Sequence, residues 1–366
     1  MQLTRLTKLI CSFLLGLGII LSLYSTHFSA QIESLYSTKI YYWTIRPYSL
    51  LTGLFPFSLA ELLLVSLSIF FVSKIMKTVI NLHSQQKSVL KQLPNLKHLV
   101  LILATVYLAF NLMWGFNYSR ATFAEISGLD VKPTAVHELA ELALHLTTRA
   151  NELRQQVIEN EHGVMTLPNG IRDLFNRAPL GYARAAQIYP QLGGRYGRPK
   201  GVLLSGYWSY TGISGAYFPF TAEANVNIHM PHFMLPSTTA HEMAHQRGFA
   251  REDEANYLAY LTCSMHPDPD FQYSGVMLAL IHTMRSLARY DSDRWITIRS
   301  QYSDGVNRDL IDWSQYWDYY EGPVKEVSTR VNDTYLIANK QKDGVHSYGR
   351  MVDLMLAEFR QNNNKK

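Results

Sequence analysis

His241-Glu242-Met243-Ala244-His245, followed by Gln246-Arg247-Gly248-Phe249-Ala250-Arg251-Glu252-Asp253-Glu254-Ala255-Asn256, is the stretch on which the reading of this chain turns. Residues four apart share one face of a helix, so His241 and His245 can hold one metal ion between them. Glu242, beside them, can take a proton from a water that the ion activates. Ser237, just after Pro236, offers a helix start, and Gly248 a stop. Zinc in a hydrolase takes three protein ligands and leaves one position open, so a third ligand is needed. A second helical pattern runs over 252–265, and Glu252, Asn256, Ala259 and Cys263 fall on one stripe of it. Ala255 and Ala259 are small and let two helices approach closely.

The pattern Glu252-x-x-Ala255-Asn256 resembles the glutamate helix of the gluzincin metallopeptidases. That resemblance implies Glu252 as the third zinc ligand and Asn256 as its support from behind the ligand set. The gap from His245 to Glu252 is shorter than in most gluzincins. The spacing also echoes the metzincins, but Arg251 stands where their third histidine would be and cannot ligate a metal. Glu252 is therefore the first choice, Glu254 the second, and Asp253 is expected in solvent.

The 366 residues carry a net charge of +5 with Lys and Arg scattered, and no recognition-helix or zinc-knuckle pattern, which excludes a nucleic-acid partner. The two cysteines, Cys11 and Cys263, lie in unlike segments and make neither a disulfide nor a metal site. Three apolar runs, residues 9–23, 54–73 and 98–116, have the length to cross a hydrocarbon core of roughly 30 Å. The first could instead be a cleaved leader with Ala30 as a poor cleavage site. The link between the second and third runs carries Lys74, Lys77, Lys87, Lys91 and Lys97 and no acid. That link is expected in the cytoplasm, which puts the N-terminus there too and residues 120–366 outside the bacterial cytoplasmic membrane. Trp43, Trp114, Tyr41, Tyr42 and Tyr118 are expected near the outer interface, and Glu61 at an interface.

Residues 120–366 read as one mainly helical domain with a small β-sheet, an α+β fold that the resemblance to the gluzincins implies is of zincin type. A helix follows Thr134; turns fill 160–200; strands are expected at 202–204, 216–218 and 226–228. In the zinc peptidases that the resemblance points to, an edge strand in this position pairs with an extended peptide; an ordinary hairpin packing on the helix is the other reading. Glu223 and Asn225 are candidates to line that cleft, and His229 and His232 lie close by. A core helix is expected over 274–290, a further helix over 324–339, and a last one from Ser347.

Taken whole, the chain resembles an uncharacterised family of bacterial membrane proteins with a predicted zinc metallopeptidase domain. The residues that carry this are Phe55-Pro56-Phe57-Ser58, Pro219-Phe220-Thr221-Ala222-Glu223-Ala224-Asn225, the core stretch 241–261 and Ser347-Tyr348-Gly349-Arg350. The expected function is a membrane-anchored zinc peptidase, with Zn2+ on His241, His245 and Glu252 and with Glu242 as general base. Tyr348 and His346 are candidates for stabilising the oxyanion. The expected partners are the lipid bilayer and a peptide or protein substrate. Two other readings share the site: an inactive zinc-binding scaffold or sensor, and a zinc amidase acting on cell-wall peptides.

Overall fold

The computed structural model describes residues 5–83 and 96–363, so Lys87 and Lys91 lie outside the described residues. Helices dominate. The N-terminal part comprises α1 (Arg5–Ser25), a π-helical stretch Ile32–Tyr41 that runs into α2 (Tyr42–Thr52), α3 (Leu59–His83) and α4 (Leu96–Met113). One of these, at Leu59–Ile80, is by itself long and apolar enough to cross a membrane. Ser12–Ser25 and Ser29–Thr52 meet that standard only together, bent by 104°, and His98–Met113 is shorter. The second apolar run thus forms its helix five residues later than its sequence suggests. Ser58 caps it, accepting the Glu61 N–H at 2.9 Å. Helices α1 and α4 pack closely where Gly18 meets the ring of Tyr107; a Cβ at Gly18 would lie 3.0 Å from it.

The larger part is built on α5 (Val136–Arg154), α6 (Leu235–Gln246), α7 (Glu252–Ser264), α8 (Pro269–Tyr290), α9 (Asp304–Tyr319), α10 (Pro323–Ala338) and α11 (Met351–Asn363). Leu139, Leu142, Leu146, Ala150 and Leu153 recur at helical spacing and bury α5 against α8. Its N-terminus is capped one residue later than expected: the Ala135 N–H donates to Glu138, and the Thr134 hydroxyl accepts from Arg360 instead. Arg154, Asp309 and Tyr273 form a buried network that ties α5, α9 and α8 together, with Arg154 Nε 2.7 Å from Asp309. Helix α8 runs along the back of α7, which in turn packs on α6. The residues expected to begin helices at 274 and 347 lie inside α8 and inside a 3-10 turn, Gly344–Arg350, respectively.

Three short strands cover the other side of α6. β1 (Lys200–Gly201) pairs parallel with β3 (Glu223–Val226), and β2 (Gly215–Phe218) pairs antiparallel with β3, in the order β1-β3-β2. β2 is therefore an edge strand, as the resemblance implied, while the segment 202–204 expected as a strand is a turn just past β1, and β3 shares only Val226 with the expected 226–228. The main core runs from Phe123 to Ala357. A second apolar cluster joins Tyr36, Tyr41 and Ile45 with Trp114, Phe116, Tyr118, Ala222 and Ala250. Residues on both sides of position 120 thus share one core. Tyr41, Trp114 and Tyr118, expected at a membrane interface, are buried in it, while Trp43 is 69% exposed.

Candidate metal centre

Helix α6 starts at Leu235 with Pro236 in its first turn, where a missing N–H costs nothing. Ser237 is thus not the cap expected of it; its hydroxyl donates to the Met234 carbonyl at 3.1 Å. Every residue of α6 is buried. The helix stops where the sequence placed the stop: Gly248 takes φ +83°, and its N–H donates to His245 O at 2.8 Å. That turn swings the chain into α7, whose first residue is Glu252.

Three side chains converge from these two helices. His241 Nε2 lies 3.0 Å from His245 Nε2, and Glu252 Oε2 lies 3.1 Å from the first and 3.4 Å from the second. A tetrahedral ion with bonds of about 2.0–2.2 Å holds its ligand atoms about 3.3–3.6 Å apart. The triangle is therefore close to the face of such a tetrahedron. Among the described residues these three form the one such group of histidine, cysteine and acidic side chains.

Both imidazoles are fixed from behind. His241 Nδ1 sits 2.8 Å from Asn256 Oδ1, and His245 Nδ1 sits 2.7 Å from the Phe249 carbonyl. Each contact suits an Nδ1–H donor, which leaves the Nε2 lone pair of each ring turned toward the triangle's centre. Asn256 is itself held by donating to the Tyr348 carbonyl at 3.0 Å. The Glu252 N–H donates to Gln341 at 3.0 Å. Burial alone would raise the Glu252 carboxyl, but His245 and His241 bring it down to about 2. Burial works against a charged His245, and Glu252 overcomes it, lifting His245 to about 9. The pocket thus favours positive charge at its centre. Donor set, spacing and electrostatics all fit a divalent zinc ion.

Glu254, the second choice for the ligand, is turned away; its Oε1 accepts the Phe123 N–H at 2.8 Å and pairs with Arg251 at 3.0 Å. Asp253, expected in solvent, is half-buried, and burial beside Glu254 raises its carboxyl to about 6.

Glu242 lies on the neighbouring face of α6, 3% exposed. Burial raises its carboxyl to about 6 although His241 and His245 pull it down. It accepts the Tyr217 N–H of β2, and its Oε2 has no hydrogen-bond partner among the described residues. Gly215 makes room for it, since a Cβ there would collide with the Glu242 carboxylate. A cavity of about 510 Å³ opens in front of the triangle and Glu242. Its walls are β2, the face of α8 that carries Leu278, Ile281, His282 and Arg285, the face of α10 that carries Ser328 and Asn332, and Trp114, Tyr118 and Tyr348. The Tyr348 ring stacks on His241 at 6.3 Å between centroids.

The other expected site residues are elsewhere. Glu223 accepts the Leu59 and Ala60 N–H groups at 3.2 and 2.9 Å, so it caps the positive end of α3 instead of lining the cleft. Asn225 accepts from Ser58 at 2.6 Å and serves the same joint. His346 is exposed and outside the cavity. His232 is held by Thr166 and Leu167, and His229 by Tyr320. Conversely, His282 and Arg285 were missed. Their signal was two polar side chains on one helical stripe with Leu278 and Ile281, which read as core. Burial, Arg285 and His241 together lower His282 to about 4. Trp114, edge-on to His245 at 5.8 Å, carried no such signal because it ends an apolar run.

No curated protein and no solved structure matches the chain. A family model described as a protein of unknown function, DUF3810, matches residues 36–356, which include every element of this centre, and the chain belongs to that family.

Proposed function

We propose that this protein is a membrane-anchored, zinc-dependent peptidase. The observation that carries the reading is the pairing of two features: a buried His241–His245–Glu252 triangle with donor spacing of 3.0–3.4 Å, and a buried carboxylate beside it with one free oxygen. A structural metal site has no use for that second feature. Zinc held by the triangle would supply Lewis acidity toward a scissile carbonyl and toward water.

The chain's own groups supply the rest. Glu242, raised to about 6, is basic enough to take a proton from the attacking water and acidic enough to give it to the leaving amine. The free edge of β2 offers backbone groups to an extended substrate, as strand addition requires. The phenol of Tyr348 is pushed well above its usual range by burial and the nearby acids, so it stays a donor at the wall of the cavity, beside Glu252. His282, which also lines the cavity, remains neutral.

The multi-pass topology belongs to the same proposal. Ser25 at the end of α1, Leu59 at the start of α3 and Trp114 just past α4 all touch the larger part, through Ser119, Glu223 and Tyr217 respectively. Three successive crossings would bring those ends to one side and the lysine-rich link to the other.

Glu242→Gln keeps the size of the side chain and removes the base. The full chain in detergent or nanodiscs should then lose roughly 10²-fold or more of its cleavage of a mixed peptide pool, with zinc content unchanged. Equal cleavage by the variant would rule out this mechanism. Zinc binding with no cleavage by either form would favour the scaffold or sensor.

A further inference from the structure

Helix α10 carries an exposed apolar stripe that nothing in the hydrolytic reading uses. Val324, Val327 and Val331 are 56%, 55% and 64% exposed, and Tyr335 continues the row. At 100° per residue these four lie within an arc of about 80°, and the face that carries Ser328, Thr329 and Asn332 into the cavity is centred about 100° further round. A soluble surface rarely shows such a row.

The C-terminal end of α10 is fastened to the ends of the apolar helices. Tyr335 bonds Tyr118 at 2.9 Å and meets the Phe110 ring of α4. Just beyond α10, Lys340 donates to the Ser22 carbonyl of α1 at 2.9 Å and to Ser25 and Ser119 at 2.8 and 2.6 Å. The opposite rim of the cavity repeats the arrangement. Glu61, in the first turn of α3, accepts the N–H groups of Leu203 and Leu204 at 2.9 and 2.8 Å. Leu203 and Tyr207 there are 78% and 75% exposed, and Thr211 and Gly212, a few residues on, line the cavity. Gly212 and Lys325 then bring the two rims into contact.

We infer that the valine stripe of α10 lies in the interfacial zone of the same bilayer that α3 crosses, and that Leu203 and Tyr207 rest there on the other side. Both rims are anchored at the ends of apolar helices, so the stripe is continuous with the surface those helices bury in lipid. The mouth of the cavity then opens along the membrane surface. Resting on the peptidase reading, this names the substrate class: a polypeptide segment next to its own membrane anchor.

The test uses the full chain in phosphatidylcholine nanodiscs, some lipids bearing a nitroxide near the headgroup. A fluorophore is placed on Val327→Cys, Val331→Cys or Ile158→Cys in a Cys11→Ser background, Cys263 being buried. Ile158 is 53% exposed and lies in a short paired stretch, its carbonyl accepting the Thr166 N–H, next to Glu159, which is held by Arg154 and Arg308. Fluorescence at 327 and 331 should fall about twofold or more on adding the nitroxide lipid, and that at 158 should hold. Equal response at all three positions overturns the seating. In a companion assay, one peptide is offered free or tethered to lipid; cleavage of both at the same rate overturns the substrate class. Quenching at 327 and 331 without cleavage of any peptide supports the seating and counts against the hydrolase reading alone.

Discussion

Gly215 shows how little room the candidate centre leaves at the scale of one residue. Its missing Cβ is the space that the Glu242 carboxylate occupies, so the edge strand and Glu242 are fitted to each other. Gly215→Ala should displace Glu242 without touching the triangle. Peptide hydrolysis should fall by roughly 10²-fold, as when a general base is lost, with zinc content unchanged. An alanine variant that cleaves as fast as wild type would show that Glu242 does not act from this position. That His241 and His245 meet was legible from spacing, because i and i+4 on a helix leave few arrangements open, while Glu252 joined them through the resemblance of its own helix. Glu223 and Asn225 misled because a polar run before a metal helix looks like cleft lining. Nothing local to the run says that the start of α3, more than 160 residues earlier, needs an acid and an acceptor to cap it.

At the scale of elements, the turn between α6 and α7 depends on a side chain from outside both. Arg120, 2% exposed, donates to the Gly248 carbonyl at 3.0 Å, lies over Phe249, and pairs through two 2.8 Å bonds with Glu33 of the π-helical stretch. Breaking a buried ion pair from one side leaves the other charge uncompensated, at a cost of about 3–5 kcal/mol. Glu33 is partly exposed, so Arg120→Met should cost stability toward the low end of that range, and adding Glu33→Gln should return a large part of it. Thermal unfolding of the four forms in one detergent measures this; additive losses would mean that the pair is not coupled. The helices themselves were legible because α5, α8 and α10 each carry an apolar period over several turns. Their ends were less so: Pro236, Pro269 and Pro323 each sit inside a first turn, two of them where a serine or valine had looked like the start.

At the scale of the whole molecule, residues 26–52 and 114–120 belong to the body that holds the centre, although hydropathy alone assigns them to a link and to the end of a span. The reason is physical: Tyr41, Trp114 and Tyr118 are amphipathic, and they suit a lipid interface as well as the underside of a polar cluster. The proposed topology has the lysine-rich link in the cytoplasm and the C-terminus outside. A reporter active only in the cytoplasm, fused after Lys366, should stay silent, while the same reporter inserted in the 84–95 link should be active. The reverse pattern would invert the orientation. The proposed chemistry depends above all on the metal. Elemental analysis of the purified full chain after zinc loading and desalting should find about one zinc per chain in the wild type and in Glu254→Gln, and none in His241→Ala, His245→Ala or Glu252→Gln. A wild type without zinc, or zinc retained in all three ligand variants, would contradict the assignment of this centre.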